Sequence, residues 1–264
     1  MTVVALESCR FHVRHGWFNV CEQFGDLRAA LAANALVPFF VWLLSRVWAR
    51  FNASQGHFTL AEVIVYIGLG EVLYMTFVRP ASVGRASADF SLALARPRSW
   101  MMTSFSGLAG RSIGSRLFML GLLLAALPIL GADLGHGTTS ALRFLLLLPW
   151  LAVLQGLFAL LFATAQVLWY QTEYFFMPIG KVFLVLGGVW GPVCDFSEPW
   201  RTWLLRLPPS DLFFQPAYYC VKGEFYGITA TDWFLRTGVV AVLLAGINVL
   251  FFSLAKRRHQ SFGG

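Results

Sequence analysis

Two apolar stretches decide the fold of this chain: GLAGRSIGSRLFMLGLLLAALPILG at residues 107–131 and ALRFLLLLPWLAVLQGLFALLFATAQVL at residues 141–168. Each is longer than the roughly 20 residues that a helix needs to cross the hydrocarbon core of a bilayer. The other apolar runs that are long enough to span with some tilt lie at 29–48, 60–78, 175–194 and 234–255. The sequence therefore predicts an all-α integral membrane protein with six transmembrane helices.

The fifth run in chain order, FFMPIGKVFLVLGGVWGPVC at 175–194, is the weakest of the six. Pro178, Lys181 and Pro192 interrupt it, although proline and glycine are tolerated in a span where neighbouring helices satisfy the freed backbone groups. A count of five spans therefore remains an alternative to six.

The composition places most of the chain in the membrane. Hydrophobic residues make up 58% of the 264 residues and charged residues only 12%, whereas soluble domains are roughly 45–50% apolar. The net charge of +7 does not indicate a nucleic-acid partner, because the basic residues lie beside the apolar runs rather than in one patch with base-stacking aromatics. We expect one transmembrane domain over 29–264, preceded by a separate N-terminal helix.

Residues 1–28 are predicted to form that helix, on the cytoplasmic side of the membrane interface. An apolar stripe follows steps of three and four residues, which puts its members on one face of a helix: Leu6, Cys9, Val13, Trp17, Val20 and Phe24. Arg10, Arg14 and Glu22 lie away from the stripe. This pattern is typical of helices in the membrane interface, and a soluble packing helix is the alternative. No cleavable signal is visible, so we expect the first span to direct insertion.

The basic residues orient the predicted spans. With the N-terminus inside, cytoplasmic segments hold twelve of the 20 Lys and Arg residues and the outer segments hold seven. This distribution agrees with the excess of basic residues in cytoplasmic loops of membrane proteins. An even number of spans then leaves both termini in the cytoplasm.

The cytoplasmic loop between the second and third spans, RPASVGRASADFSLALARPRSW at 79–100, predicts a short amphipathic helix. Ser82 is a suitable N-cap between the flanking prolines. One face of the helix carries Val83, Ala86, Phe90 and Leu94. Such a helix lies just below the membrane, either docked on a partner or in the interface without one.

The outer segment at 195–236 predicts two short helices. One starts near Ser197 with Pro199 in its first turn, and the other starts near Ser210. The aromatic residues of the segment suit the outer membrane interface. We therefore expect a structured segment rather than a flexible linker.

The sequence supports no enzyme motif. Gly110, Ser112 and Gly114 match GxSxG, but a nucleophile elbow needs a strand-to-helix turn and a histidine base, and none of the five histidines lies deep in a predicted span. The two glycines more simply let a helix approach closely. His12 and His15 lack a third ligand at metal spacing. Because the chain also has no GxxxxGK[ST] loop, we expect no catalytic, cofactor or metal site in it.

Polar residues inside the predicted spans are costly and are therefore candidates for function. Glu71 is the strongest of these candidates, because it lies about 12 Å from the inner end of its predicted span. It is expected to form either a coupling ion pair, with Arg111 or Arg116 as partner, or an interhelical structural contact. The uncharged pathway candidates, for which helix–helix hydrogen bonds are the alternative, are Asn34, Gln155, Gln166 and Asn248.

In the order of these elements the chain resembles the membrane-spanning permease subunits of type-2 ATP-binding-cassette (ABC) exporters. This class includes drug, lipid-linked glycan and antibiotic-resistance exporters. The resemblance covers nearly the whole chain and is closest in two stretches, ALARPRSW at 93–100 and GGVWGPVCDFSEPWRTWLLRLPPSDLFFQPAYYCVKGEF at 187–225.

The resemblance implies that the helix at 82–95 is a coupling helix that docks on a separate ATPase subunit, which would carry ATP and Mg²⁺. It also implies a second permease subunit, identical or related, and export by alternating access across a bacterial cytoplasmic membrane. The coupling candidates are Ser82, Val83, Arg85, Asp89, Phe90 and Leu94. Cys194 and Cys220 would both lie outside, where they would be either disulfide-bonded or unpaired.

Three rival functions remain. A membrane enzyme predicts intramembrane His or Asp clusters, which the sequence lacks. A secondary transporter or channel predicts internal repeats with broken helices at mid-membrane, and the two halves show no convincing repeat. A structural membrane subunit is compatible with every pattern above. No residue identifies a substrate.

Overall fold

A computed structural model describes residues 2–22, 24, 31, 34, 36–51, 57–78, 99–169 and 173–261. All regular secondary structure within these ranges is helical, which confirms the all-helical fold class. The helices are α1 (Thr2–Glu22), α2 (Leu36–Phe51), α3 (Leu60–Val78), α4 (Trp100–Leu130), α5 (Leu134–Leu168), α6 (Glu173–Leu186), α7 (Trp200–Leu204), α8 (Gln215–Lys222) and α9 (Ala230–Ser261). A 3₁₀ turn at Val193–Asp195 and a π-helical turn at Ser210–Phe214 lie in the outer segment.

Three of these helices are long and apolar enough to cross a membrane: Trp100–Leu130, Leu134–Leu168 and Ala230–Arg257. They correspond to the third, fourth and sixth predicted spans. The structure therefore has the helices of a membrane protein. That α2, α3 and α6 also span the membrane stays a prediction, and so does the total of six spans.

The hairpin of α4 and α5 follows from its capping residues. The Ser99 side chain accepts a hydrogen bond from the amide of Met102 at the start of α4. Gly131 ends α4 with φ 84°, a left-handed conformation that glycine adopts without a steric penalty. The Asp133 side chain then caps α5 by accepting from the amide of His136. Because only three residues separate the two helices, they pack as antiparallel neighbours.

The centre of the bundle is α3. Residues 63–73 are buried without interruption, and the helix contacts α2, α4, α5, α6 and α8. On the outside of the bundle α9 packs on α5, and α1 packs on α4. The exposed side of α9 is apolar over Val239, Val242 and Leu243, which suits contact with lipid.

Aromatic side chains pack at both ends of the bundle. At the end predicted to be cytoplasmic, Trp100 stacks on Phe252 with ring centroids 5.9 Å apart. At the opposite end, the two short helices predicted for 195–236 are present as α7 and as the continuous helical stretch 210–222. Phe214 and Cys220 of that stretch are fully buried, so the outer segment is part of the packed core rather than a linker.

Candidate functional site

Four polar side chains from three helices meet in the interior: Thr76 on α3, Ser112 and Arg116 on α4, and Gln155 on α5. Arg116 donates from Nε to Thr76 Oγ1 at 3.2 Å and from Nη2 to Gln155 Oε1. Ser112 Oγ donates to the same Gln155 oxygen at 2.6 Å. Gln155 Nε2 donates to the backbone carbonyl of Thr76. These four residues are called the polar cluster below.

The polar cluster caps the end of α3. Thr76 lies two residues before Val78, the last residue of the helix, so its carbonyl is one of the final four that lack a partner within the helix. Gln155 supplies the missing donor. The guanidinium of Arg116 adds a positive charge at the negative end of the helix dipole. Since residues 79–98 follow directly, the cluster fixes the helix end from which the predicted coupling segment departs.

Arg116 is a buried cation that has no carboxylate partner among the described residues. Its side chain is 2% exposed, and its Nη1 has no hydrogen-bond partner in the structure as described. A buried charge costs several kcal/mol unless neighbouring groups compensate it. The oxygens of Gln155 and Thr76 provide that compensation, which makes Gln155 the residue on which the cluster depends.

Of the two contacts considered for Glu71, a coupling ion pair and an interhelical structural contact, the ion pair is absent among the described residues. The side chain is 4% exposed, and among the described residues neither Arg111 nor Arg116 pairs with it. Arg111 turns to α1, where its Nε donates to Asn19 Oδ1 at 2.9 Å and its Nη2 lies 3.4 Å from Glu22 Oε2. The two arginines are five positions apart and hence on different faces of α4, and Arg116 faces Gln155 rather than Glu71.

The other pathway candidates are also buried, at Asn34, Gln166 and Asn248. Asn248 Nδ2 donates to the carbonyl of Leu157 at 2.9 Å and so joins α9 to α5. This contact is the structural alternative that the sequence left open for an intramembrane amide. The coupling candidates lie outside the described residues: Ser82, Val83, Arg85, Asp89, Phe90 and Leu94.

The contact between α1 and α4 was not predicted from the sequence. A Cβ placed on Gly110 would lie 2.2 Å from the carbonyl oxygen of Gly16, and one on Gly107 would lie 3.1 Å from His15 Nε2. Beyond the end of α1, Phe24 meets Phe118 of α4 with ring centroids 6.4 Å apart. The helices therefore run side by side in the same direction, with glycine backbones in contact.

The face of α1 that meets α4 is polar and small rather than apolar. Asn19 and Gly16 face α4, whereas Val13 and Trp17 of the predicted apolar stripe are exposed. Burial lowers the pKa of His15, and the charges of His12 and Arg111 lower it further. A neutral imidazole therefore faces α4. A helix that lies flat in the interface would cross α4 rather than run alongside it, so the interfacial location of α1 stays a prediction that the contact with α4 does not support.

The structure gives the GxSxG pattern a packing role. Gly110, Ser112 and Gly114 lie inside α4, and Ser112 donates to Gln155 rather than to a histidine. Within the described ranges no three His, Cys, Asp or Glu side chains are placed to hold a metal ion. The described geometry therefore offers no nucleophile–base pair of a hydrolase at this position.

Side-chain contacts join the outer segment to α3, α5 and α9. Lys222 Nζ lies 2.8 Å from Glu62 Oε1 on α3 and 4.9 Å from the centre of the Phe58 ring. Arg143 on α5 donates to the carbonyls of Cys220 and Val221, both at 3.1 Å, at the end of α8. Trp233 on α9 donates to the carbonyl of Asp211 at 2.9 Å. These contacts hold the segment against one end of the bundle, the end that the sequence predicts to be outside.

Cys194 and Cys220 are buried and unpaired in the structure. Of the two states that the sequence left open, the structure has the unpaired one. Burial raises the pKa of the Cys220 thiol, which disfavours the reactive thiolate.

No known protein family and no curated protein matches this chain. The resemblance to ABC permeases therefore rests on the order of the elements and on the two stretches quoted above, and it enters the next subsection as a proposal.

Proposed function

We propose that the chain is the transmembrane subunit of an ATP-driven ABC exporter, and that it forms a substrate path with a second permease subunit. The observation that carries the proposal is the order of elements along the chain: an N-terminal helix, paired helices around a 20-residue segment at 79–98, and a packed helical segment directly before the last long helix. ATP and Mg²⁺ belong to a separate ATPase subunit in this scheme.

The polar cluster supports this proposal because of its position. It ties the end of α3 to α4 and α5 immediately before the segment that would dock on the ATPase. A displacement of that segment by the ATPase is transmitted to α4 and α5 through Thr76, Arg116 and Gln155. ATP drives such a cycle only if it binds the two conformations of the ATPase pair with different affinity.

Co-purification with an ATPase tests the proposed function. The proposal predicts that a neighbouring reading frame encodes a Walker-motif ATPase, and that this ATPase co-purifies with the tagged chain when the two are coexpressed. Replacing 82–95 by a Gly/Ser linker of equal length is expected to abolish co-purification while the permease still elutes as a folded protein. The matched control, Thr202→Ala on exposed α7, is expected to retain the ATPase.

Two results would overturn the proposal. One is full retention of the ATPase after 82–95 has been replaced. The other is transport by the purified chain in vesicles without any ATPase.

The second result would favour the alternative function, a secondary transporter or channel. Two observations speak for this alternative: Glu71 and Arg116 are both buried, and neither has an ion-pair partner among the described residues. Charges inside a membrane bundle commonly mark ion or proton pathways. Transport driven by an ion gradient alone would distinguish the two functions.

A further inference from the structure

The outer segment packs on the first turn of α9 through Trp233. The Trp233 side chain is fully buried, and its Nε1 donates to the backbone carbonyl of Asp211 at 2.9 Å. Its ring stacks on Phe225 with centroids 4.9 Å apart, and Phe225 stacks on Tyr219 of α8 at 4.7 Å. The helical stretch 210–222 and α9 therefore share one packed interface.

Asp211 places a carboxyl group at this interface without a hydrogen-bond partner. The side chain is 5% exposed, and its Oδ1 is buried and accepts no hydrogen bond from the described part of the chain. No described cation lies within ion-pair distance of it. The hydroxyl of the neighbouring Ser210 is also buried and unpartnered there. An ionised carboxylate in such surroundings loses its hydration without compensation, whereas a protonated carboxyl loses much less.

The charges around Asp211 do not compensate this loss. The π-helical turn that carries Asp211 packs against α3, α8 and α9. On these helices Lys222 and Glu62 pair with each other, and the exposed Asp232 forms its hydrogen bonds at the start of α9. Arg236 of α9 is exposed and too far from Asp211 for an ion pair. Burial raises the pKa of Asp211 to about 6, and the charge of Arg236 opposes that rise.

We propose that Asp211 is a proton-binding site, and that the bound proton holds the outer segment on α9. When Asp211 releases this proton to water, the segment separates from α9, and the carboxylate gains water and the Arg236 guanidinium as partners. Helical turns of the π type are rare and occur often at functional sites, which agrees with this role. The inference goes beyond the proposed export function and does not depend on it.

The sign of the pH dependence follows from the two states of the carboxyl. In the docked segment its pKa is about 6, against the ordinary value of 3.8 once the group reaches water. Docking is therefore strongest at low pH, weakens as the pH rises between these two values, and changes little above them. In the predicted topology the site responds to the pH of the outer compartment.

Hydrogen exchange as a function of pH tests the proposal. Protection factors, which already correct for the intrinsic pH dependence of amide exchange, are measured for α8 and α5 in the purified full chain in phosphatidylcholine nanodiscs. From pH 5 to pH 8 the protection of α8 should fall about tenfold while that of α5 stays constant. In Asp211→Asn, which keeps the shape of the side chain and stays neutral, the protection of α8 should not depend on pH. Arg236→Gln should move the loss of protection to higher pH, because its charge no longer favours the ionised form.

The matched control is Glu224→Gln, which neutralises an exposed carboxylate of the same segment. It is expected to keep the pH dependence of the unmodified chain. Constant protection of α8 from pH 5 to pH 8 in the unmodified chain would overturn the proposal, and so would a pH dependence that persists in Asp211→Asn. Arg236→Gln changes only an exposed side chain, and an unshifted transition in it would also contradict Asp211 as the titrating group. The assay contains no ATPase and measures no transport, so its outcome is independent of the exporter proposal.

Discussion

Gln155→Met is expected to lower the free energy of unfolding by about 3–5 kcal/mol, the typical cost of leaving a buried charge without its partner. Methionine keeps the volume of glutamine but provides no strong acceptor for Arg116 and Ser112 and no donor for the Thr76 carbonyl. The measurement is unfolding of the purified protein by SDS titration in dodecyl maltoside micelles.

A second substitution shows whether the buried charge is the cause. Arg116→Met alone removes both the cation and its desolvation cost, so we expect a loss of only about 1 kcal/mol from the remaining hydrogen bonds. In the double variant Gln155→Met with Arg116→Met, most of the stability lost in Gln155→Met should return. Strictly additive losses would show that the two residues do not act as a unit.

Gly110→Ala is expected to separate α1 from α4. The added Cβ would lie 2.2 Å from the backbone oxygen of Gly16, and a backbone atom cannot move aside as a flexible side chain can. We expect a destabilisation at or above the roughly 1–3 kcal/mol that is typical of overpacking. Hydrogen exchange of the α1 amides should accelerate at least about tenfold, while exchange in α5 stays unchanged.

The glycines of the same helix provide graded controls for this prediction. Gly107→Ala meets movable side chains rather than backbone, His15 Nε2 at 3.1 Å and Asn19 Nδ2 at 3.6 Å, and should have a smaller effect. Gly121→Ala faces open space and should leave α1 protected. Equal exchange in Gly110→Ala and Gly121→Ala would show that the close approach of α1 and α4 does not hold α1 in place.

The existence of the long helices could be predicted from the sequence, but their starts could not. The apolar runs begin at 107 and 141, whereas α4 begins at Trp100 and α5 at Leu134. The first two turns of each helix contain polar or small residues, and capping by Ser99 and Asp133 sets the starts instead. The short outer helices were predictable because serine and proline mark their first turns.

The pairing within the candidate site lay beyond sequence reasoning. Glu71, Arg116 and Gln155 were each singled out as polar residues within spans, yet the charge pairing suggested Glu71 with an arginine. The observed partners of Arg116 are 40 and 39 positions away, at Thr76 and Gln155. Which polar side chains contact each other depends on how α3, α4 and α5 are rotated about their axes. The spacing of apolar residues in the sequence determines that rotation only approximately.

The contact of α1 with α4 was missed for a different reason. Periodicity directs attention to apolar stripes, and here Val13 and Trp17 of the stripe are exposed while Gly16 and Asn19 face the neighbouring helix. The available signal was the presence of Gly16 in one helix and Gly107 and Gly110 in the other, since small residues allow helices to approach closely.

The oriented six-span topology is the central claim, because export coupled to a cytoplasmic ATPase requires 82–95 inside and the 195–236 segment outside. Single cysteines at Ser87, Thr202 and Ser261, in a variant whose four native cysteines are alanine, are labelled in intact cells with a membrane-impermeant maleimide. We predict labelling of Thr202→Cys alone in intact cells, and of Ser87→Cys and Ser261→Cys only after the membrane is permeabilised. Labelling of Ser87→Cys and Thr202→Cys from the same side, or of Ser261→Cys from outside, would contradict the account.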